Sequence, residues 1–489
     1  MSEMITDDPL HPLQFNSVRV TANGKCSCRR QMMRMSRLAS LAWILLSFAH
    51  WILILDGTTC AENWPTYRHD NRRSGVTNEQ FLFPLDPLWV WESPQRPRTA
   101  WSGPAKWDAY TGNRDLQSMR NFDPCYFVTA DQEFVFFGSS SDDSAHALDA
   151  ASGKEVWVNV TGAPVRLPPT IHGEHVLYGS DDGYVYCVNR RSGDRVWKTR
   201  GGDSDRKIFN DRKLISLWPV RTGVMIDNDL AIFGASLVPW EVSHLVSVDA
   251  STGKMEGPRS FRRDLQEVTL QGALLASEKR IYVPQGRSAP LAFQKANGES
   301  LGAVGEAGGV FCILMEDEML LAGPNHQKET EHQIRVTGIG DSKAIASFAG
   351  TNRLVVAGKE AWFSIAGELR KLDREIYLDA VQRINQALAS VPKDQKPSDE
   401  IQSIIEEAKS SQAAAWQWAI PCGVPLEMVK AGDALILGFA GEVRAYSSQS
   451  GELLWSQPMD GAAFGLAVAG GRLFVSTDEG DIHAFGRRQ

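Results

Sequence analysis

Apolar and polar residues alternate in short runs along most of this chain, and the runs return at a fixed distance. Val185-Tyr186-Cys187-Val188 is β-branched and aromatic. Arg191-Ser192-Gly193-Asp194 has turn chemistry, and Arg195-Val196-Trp197 opens a second strand. The same arrangement stands earlier as Ala147-Leu148-Asp149, Gly153 and Trp157, and near the C-terminus as Ala445-Tyr446-Ser447, Gly451 and Trp455. Each copy predicts two strands around a tight turn. The Asp or Asn side chain bonds the backbone two residues on, Gly153 or Gly193 supplies a positive φ, and the Trp buries a large face while its N–H seeks a partner.

Weaker copies fill the intervals. Ser247-Val248-Asp249 with Gly253 has Gly257 in the Trp place, and Ala292-Phe293-Gln294 with Gly298 has Gly302 there. Val336 and Lys371 mark degenerate copies, and Ile482-His483-Ala484-Phe485 is the last. The first positions fall at 147, 187, 247, 292, 336, 371, 445 and 484. Apart from two longer intervals that mark insertions, they recur at about 40 residues, the size of a four-stranded propeller blade. The last copy stops before its Gly and Trp. Pro87-Leu88-Trp89-Val90-Trp91-Glu92 can supply the missing strand, closing a ring and removing an exposed sheet edge. The prediction is an all-β fold, an eight-bladed β-propeller with tryptophan-docking repeats, with seven blades as the alternative.

Two stretches break the β pattern. Ile376, Val381, Ile384 and Leu388 are spaced as a helical face; Ser398 is placed to cap a second helix carrying Ile401, Ile404, Ile405 and Ala408. A helical hairpin over 374–414 is expected, leaving and re-entering the chain between two blades. At the other end, Arg34 and Arg37 precede an apolar run from Leu38 to Leu55, followed by Thr59-Cys60-Ala61. This reads as a leader over 1–61, a cleaved signal peptide or an uncleaved anchor, ahead of a propeller over 62–489. The expected destination is the periplasm or cell envelope, with membrane contact only through an uncleaved leader.

Charge and cysteine usage narrow the partners. A net charge of −8 speaks against nucleic acid. Fifteen Trp residues suit a docking role. Of seven Cys residues, Cys26, Cys28 and Cys60 lie in the leader, leaving Cys125, Cys187, Cys312 and Cys422. Export permits disulfides among these four, with three possible pairings. Cys187 holds the Ala place of the repeat, so a buried thiol is the preferred reading there.

Function is expected in the insertions, because loops on a rigid scaffold carry it more often than the scaffold does. One insertion, 94–124, is rich in Gly, Pro, Arg and aromatic residues. A second, 199–217, leads into Trp218 and Arg221. Arg206, Arg212, Trp218 and Arg221 form the candidate ligand or partner loop, since Arg pairs bidentately with carboxylates and Trp offers a stacking face. Internal pairing of these cations with nearby acids is the alternative. The acidic stretches at Asp142-Asp143, Asp181-Asp182-Gly183 and Asp478-Glu479-Gly480-Asp481 read as turns, and none has calcium-loop spacing. His172 and His175, like His326 and His332, lack the spacing of a helical zinc motif. No metal site is assigned.

The repeat resembles the tryptophan-docking motif of the quinoprotein dehydrogenase superfamily, the pyrroloquinoline-quinone-like propellers. Gly179-Ser180-Asp181-Asp182-Gly183-Tyr184-Val185-Tyr186 and the opening Asn63-Trp64-Pro65-Thr66-Tyr67-Arg68 are similar to secreted bacterial members. The family includes the BamB-type propeller of outer-membrane assembly and many members without assigned activity, so the resemblance implies a fold more than a function. Its quinone-dependent dehydrogenases commonly set adjacent cysteines against the cofactor and hold Ca²⁺ nearby, and this chain has no Cys-Cys pair. The reading is therefore a secreted, non-catalytic scaffold binding a protein or envelope component, with no catalytic residue and no cofactor. The alternative is a quinone-dependent oxidoreductase with Ca²⁺, or a degenerate relative of one.

Overall fold

Six of the eight repeat positions, from Ala147 to Lys371, lie on the third strand of a four-stranded antiparallel sheet. The computed structural model describes residues 62–100, 105–107, 114–116, 122–210, 212–286, 288–305, 308–323, 333–338, 344–392 and 394–488. The leader expected over 1–61, with its three cysteines, lies outside them, as do His326 and His332. The chain divides into Met1–Thr58 and Thr59–Gln489, and the fold is that of the second unit.

The six sheets follow one another along the chain. Their first and last strands run from Val128–Ala130 to Glu155–Val160, Thr170–His172 to Arg195–Arg200, and Met225–Asp227 to Phe261–Leu265. The next three run from Leu275–Ala276 to Ser300–Ala303, Gly308–Leu314 to Ala346–Ala349, and Thr351–Ala357 to Trp416–Pro421. A seven-stranded sheet completes the set. Within it, Ala434–Ser447 pairs first with Glu427–Ala431 and then with the start of Leu453–Ala469. The later part of Leu453–Ala469 pairs with Arg472–Thr477. Asp86–Trp91 is the outer strand, antiparallel to Ile482–Gly486, so the N-terminal segment supplies what the incomplete last repeat lacks.

Apolar faces meet between consecutive sheets. Phe136, Ala147 and Trp157 pack with Val176, Tyr178 and Val188 of the next sheet. The first and last sheets also share a core, in which Val128, Phe137 and Leu148 meet Phe474, Val475 and Phe485. The propeller is therefore closed by packing as well as by hydrogen bonds.

The repeat residues join neighbouring sheets. Trp157 Nε1 donates to the Arg190 carbonyl at 2.9 Å, Trp197 to Ala250 at 3.0 Å and Trp455 to Leu85 at 3.1 Å. Gly153 and Gly193 adopt φ of +69° and +72°, which only glycine takes without strain. They also lie under the indole of the preceding sheet: a Cβ on Gly153 would stand 2.6 Å from Trp89, and one on Gly193 2.8 Å from Trp157. Gly451 lies under Trp418 in the same way.

Two expectations change. Gly257 does not stand in the docking place of its copy, because the connection after Gly253 is longer and Phe261 covers Gly298 instead. The helical hairpin sits within one sheet, between its third strand Glu368–Asp373 and its fourth, Trp416–Pro421, rather than between two blades. Its helices are α1 (Arg374–Ala389) and α2 (Asp399–Ala414), capped by Asp373 and Ser398, whose side chains accept from Ile376 N and Ile401 N. The face of α1 is rotated from the expected stripe. Ala380 and Ala387 are buried, and Tyr377 packs on Phe348 and Trp416, while Ile376 and Leu388 stay exposed.

Candidate functional site

The N-terminal segment 64–77 crosses the innermost strands before the ring begins. Trp64 bridges Ala130, the Pro65 carbonyl accepts from Ile171 N, and Asn71 Nδ2 donates to the Ile226 carbonyl at 2.6 Å. Arg73 Nε donates to the Leu274 carbonyl at 2.8 Å, Leu314 N to the Arg72 carbonyl, and Lys430 N to that of Gly75. All of these partners lie on or immediately beside the innermost strands, so the segment runs across them and plugs the axis. The sequence signal for it was Trp64-Pro65-Thr66-Tyr67-Arg68, whose Trp64, Thr66 and Arg68 are buried.

Behind the plug a cavity of about 70 Å³ remains, lined by Tyr67, Phe127, Leu167, Ala273, Arg353, Glu427 and Phe464. Arg68 pairs with Glu427, both buried, and Arg353 Nε donates to the Leu426 carbonyl at 2.7 Å. A second ionic cluster is also buried. Arg166 pairs with Asp123 and with Asp181, each at 2.6 Å. Arg221 meets the two oxygens of Asp181 at 2.8 and 2.7 Å. Burial lifts the Asp181 carboxyl, and Arg166 and Arg221 more than reverse this, leaving its pKa below the usual value. For Asp123 burial wins over Arg166, and its pKa stays raised. Asp123 also accepts from Ala100 N at 3.0 Å, and Arg166 donates to the Arg98 carbonyl at 2.7 Å, which fastens the strap 94–100 to the ring. The side chains of 101–121, with Trp101, Trp107, Tyr110, Arg114 and Arg120, lie outside the described residues.

The candidate loop does not converge on one surface. Arg221 is 1% exposed and committed to Asp181. Trp218 is buried, and its Nε1 donates to the Val242 carbonyl at 2.7 Å. Arg206 and Arg212 are exposed, Arg206 pairing with Glu241 at 3.2 Å. The insertion itself is a two-stranded ribbon, Lys207–Asn210 with Lys213–Ser216. Ile208 and Ile215, partners across the ribbon, turn inward and pack with Leu237 and Val238. Phe209 and Leu214, the next pair, face outward at 76% and 54% exposure. Trp240, on the loop that Arg206 joins through Glu241, is 75% exposed. Sequence reasoning missed these three residues. The signal is the apolar pairs Ile208-Phe209 and Leu214-Ile215, each flanked by polar residues, in a stretch whose cations are more conspicuous.

The family model described as outer membrane protein assembly factor BamB matches residues 102–308 and 439–489, more than half of the chain. The chain belongs to this family. No curated protein matches it. Among solved structures, the quinohemoprotein alcohol dehydrogenase ADHIIG from Pseudomonas putida HK5 is similar at TM-score 0.52 and 12% identity, over 87% of this chain and 81% of that one. BamB from Moraxella catarrhalis gives 0.35 and 14%, over 83% and 100%. Sqt1 from Saccharomyces cerevisiae gives 0.49 and 11%, over 75% and 97%. The first likeness supports the propeller fold.

The superfamily's quinone can be weighed against this axis. A cavity of about 70 Å³ is several-fold below the roughly 300–1,000 Å³ of small-molecule sites. Of the charged groups lining it, Glu427 is paired with Arg68 and Arg353 donates to the Leu426 carbonyl. These residues do not fit a tricyclic quinone there. Among the described residues no group of three His, Cys, Asp or Glu side chains is placed to hold a metal ion. Cys125, Cys187, Cys312 and Cys422 are buried, and no disulfide joins them.

Proposed function

We propose that this protein is an exported, non-catalytic scaffold of eight blades that binds a protein of the cell envelope. The observation that carries the reading is the outward face of the 207–216 ribbon, where Phe209 and Leu214 stand beside exposed Arg206, Lys207 and Arg212, with Trp240 on the adjoining loop. Large apolar side chains grouped on an exposed surface mark an interaction site. The flanking cations suit a partner that presents an apolar centre with an acidic rim. Membership of a family described as an assembly factor supports a protein partner.

The blade count follows from treating the seven-stranded sheet as two blades joined by continuous strands. In this reading residues 1–61 are a leader cleaved before Glu62, 62–489 form the propeller, and 374–414 project from it. No helix among the described residues is long and apolar enough to cross a membrane. No cofactor is required. Purified protein mixed with pyrroloquinoline quinone and Ca²⁺ should give no new visible band and no dye reduction with an alcohol or a sugar. Turnover in that assay would replace the scaffold with an oxidoreductase.

A further inference from the structure

A cleft of about 510 Å³ lies between the third and fourth sheets, lined by Arg259, Lys279, Arg280, Lys295, Glu278 and Leu301. It is built from connections between first and second and between third and fourth strands. In an antiparallel meander these stand at the opposite end from the 207–216 ribbon, which joins a fourth strand to the next first. Its origin is legible in the repeat. Glu155 and Arg195 begin their strands two residues after the turn glycine, whereas Phe261 follows Gly253 by eight. The added length carries Arg259 to the cleft.

Four cations face one concavity in a protein of net charge −8. The inner two are held in place: Lys295 Nζ donates to Asp227 and to the Ser277 carbonyl, both at 2.9 Å, and Arg280 pairs with Glu318 at 3.3 Å. Arg259 and Lys279 are exposed and have no ion pair among the described residues. Glu278 is the only carboxylate among the lining residues. Asp227, Glu318 and Glu278 offset part of this charge, and a bound anion pairs with what Arg259 and Lys279 leave unmatched. A group with two charges and three acceptor oxygens answers two unpaired cations backed by two part-neutralised ones better than a single carboxylate does. The volume falls within the range of small-molecule sites. The geometry points to a binding site for a phosphoryl-bearing ligand at Arg259, Lys279, Arg280 and Lys295, with Leu301 as an apolar wall.

The test is calorimetric titration of the full protein with inorganic pyrophosphate at low salt. The parent should bind, and binding should weaken as salt is raised. Arg259→Ala/Lys279→Ala alters exposed side chains only, so its melting curve should match the parent's. Its affinity should fall about ten-fold or more, as the loss of one or two charge-assisted bonds implies. Lys409→Ala, an exposed cation on the helical hairpin, should bind as the parent does. Co-sedimentation with phosphatidylglycerol vesicles, but not with pure phosphatidylcholine, lost in the cleft variant, would assign the phosphoryl group to a lipid headgroup. Pyrophosphate binding without co-sedimentation would assign it to a soluble ligand. No pyrophosphate binding by the parent, or equal binding by parent and cleft variant, overturns the site.

Discussion

Trp89 lies across Gly153: its indole covers the turn glycine of the first sheet, and its Nε1 donates to the Ala150 carbonyl at 3.1 Å. Trp89 belongs to the N-terminal strand that completes the last sheet, so this contact locks the ring where the chain's two ends meet. Trp157 on Gly193 and Trp197 on Gly253 repeat it around the propeller. Trp157→Ala and Trp197→Ala should each cost about 3–5 kcal/mol, as large core truncations do, and Trp89→Ala, at a half-buried ring, less. Trp197→Phe keeps a ring but loses the bond to Ala250 and should cost less. Chemical denaturation of the four variants checks the order.

Arg221 separates a structural role from a binding one. Removing it leaves Asp181 buried with Arg166 alone, so Arg221→Ala should cost about 3–5 kcal/mol. Arg206→Ala and Arg212→Ala change exposed side chains and should stay within about 0.5 kcal/mol of the parent. Equal stability of all three variants would contradict the buried cluster.

The turn aspartates give a pH dependence. A hydrogen bond from Ser152 holds the Asp149 carboxyl below its usual pKa, and one from Ser251 does the same for Asp249. A depressed folded-state value contributes stability above the unfolded pKa and loses it as pH falls through the folded one. Stability from these turns should therefore persist at pH 5 and above and decline below about pH 4. Asp149→Asn keeps the turn, as Asn189 does in the second copy, and removes its share of the decline. Melting temperatures across that interval measure it.

All four propeller thiols should be silent in the native state. Burial pushes Cys187 and Cys312 up to about 12 and Cys422 to about 11, and raises Cys125 as well. A thiol-reactive dye should label none of them before unfolding and all of them after it. Rapid native labelling of Cys187 would mean that the sheets separate more readily than their packing implies.

Much of this architecture was legible because the repeat writes its physics into single residues. Asp149, Gly153 and Trp157 are each needed at one place for a turn, a close approach and a docked ring. The N-terminal strand was legible through an absence, since the copy at Ala484 stops short of its own outer strand. What escaped notice depended on distant partners. Nothing beside Arg221 in sequence shows that Asp181 will be 2.7 Å away, and the pairing turns a candidate ligand group into a buried strut. Phe261 escaped because a longer connection displaced the docking ring from its usual spacing. The plug escaped because Asn71 and Arg73 act through backbone carbonyls of sheets that follow much later in the chain.

The claim that the 207–216 ribbon receives an envelope protein is tested most directly by site-specific photocrosslinking in cells. A photoreactive phenylalanine at Phe209 or Trp240 should give one discrete adduct with the same protein. The same group at Lys279, at the other end of the strands, should not capture that protein. Absence of an adduct from both ribbon-side positions, or the same adduct from Lys279, would contradict the account.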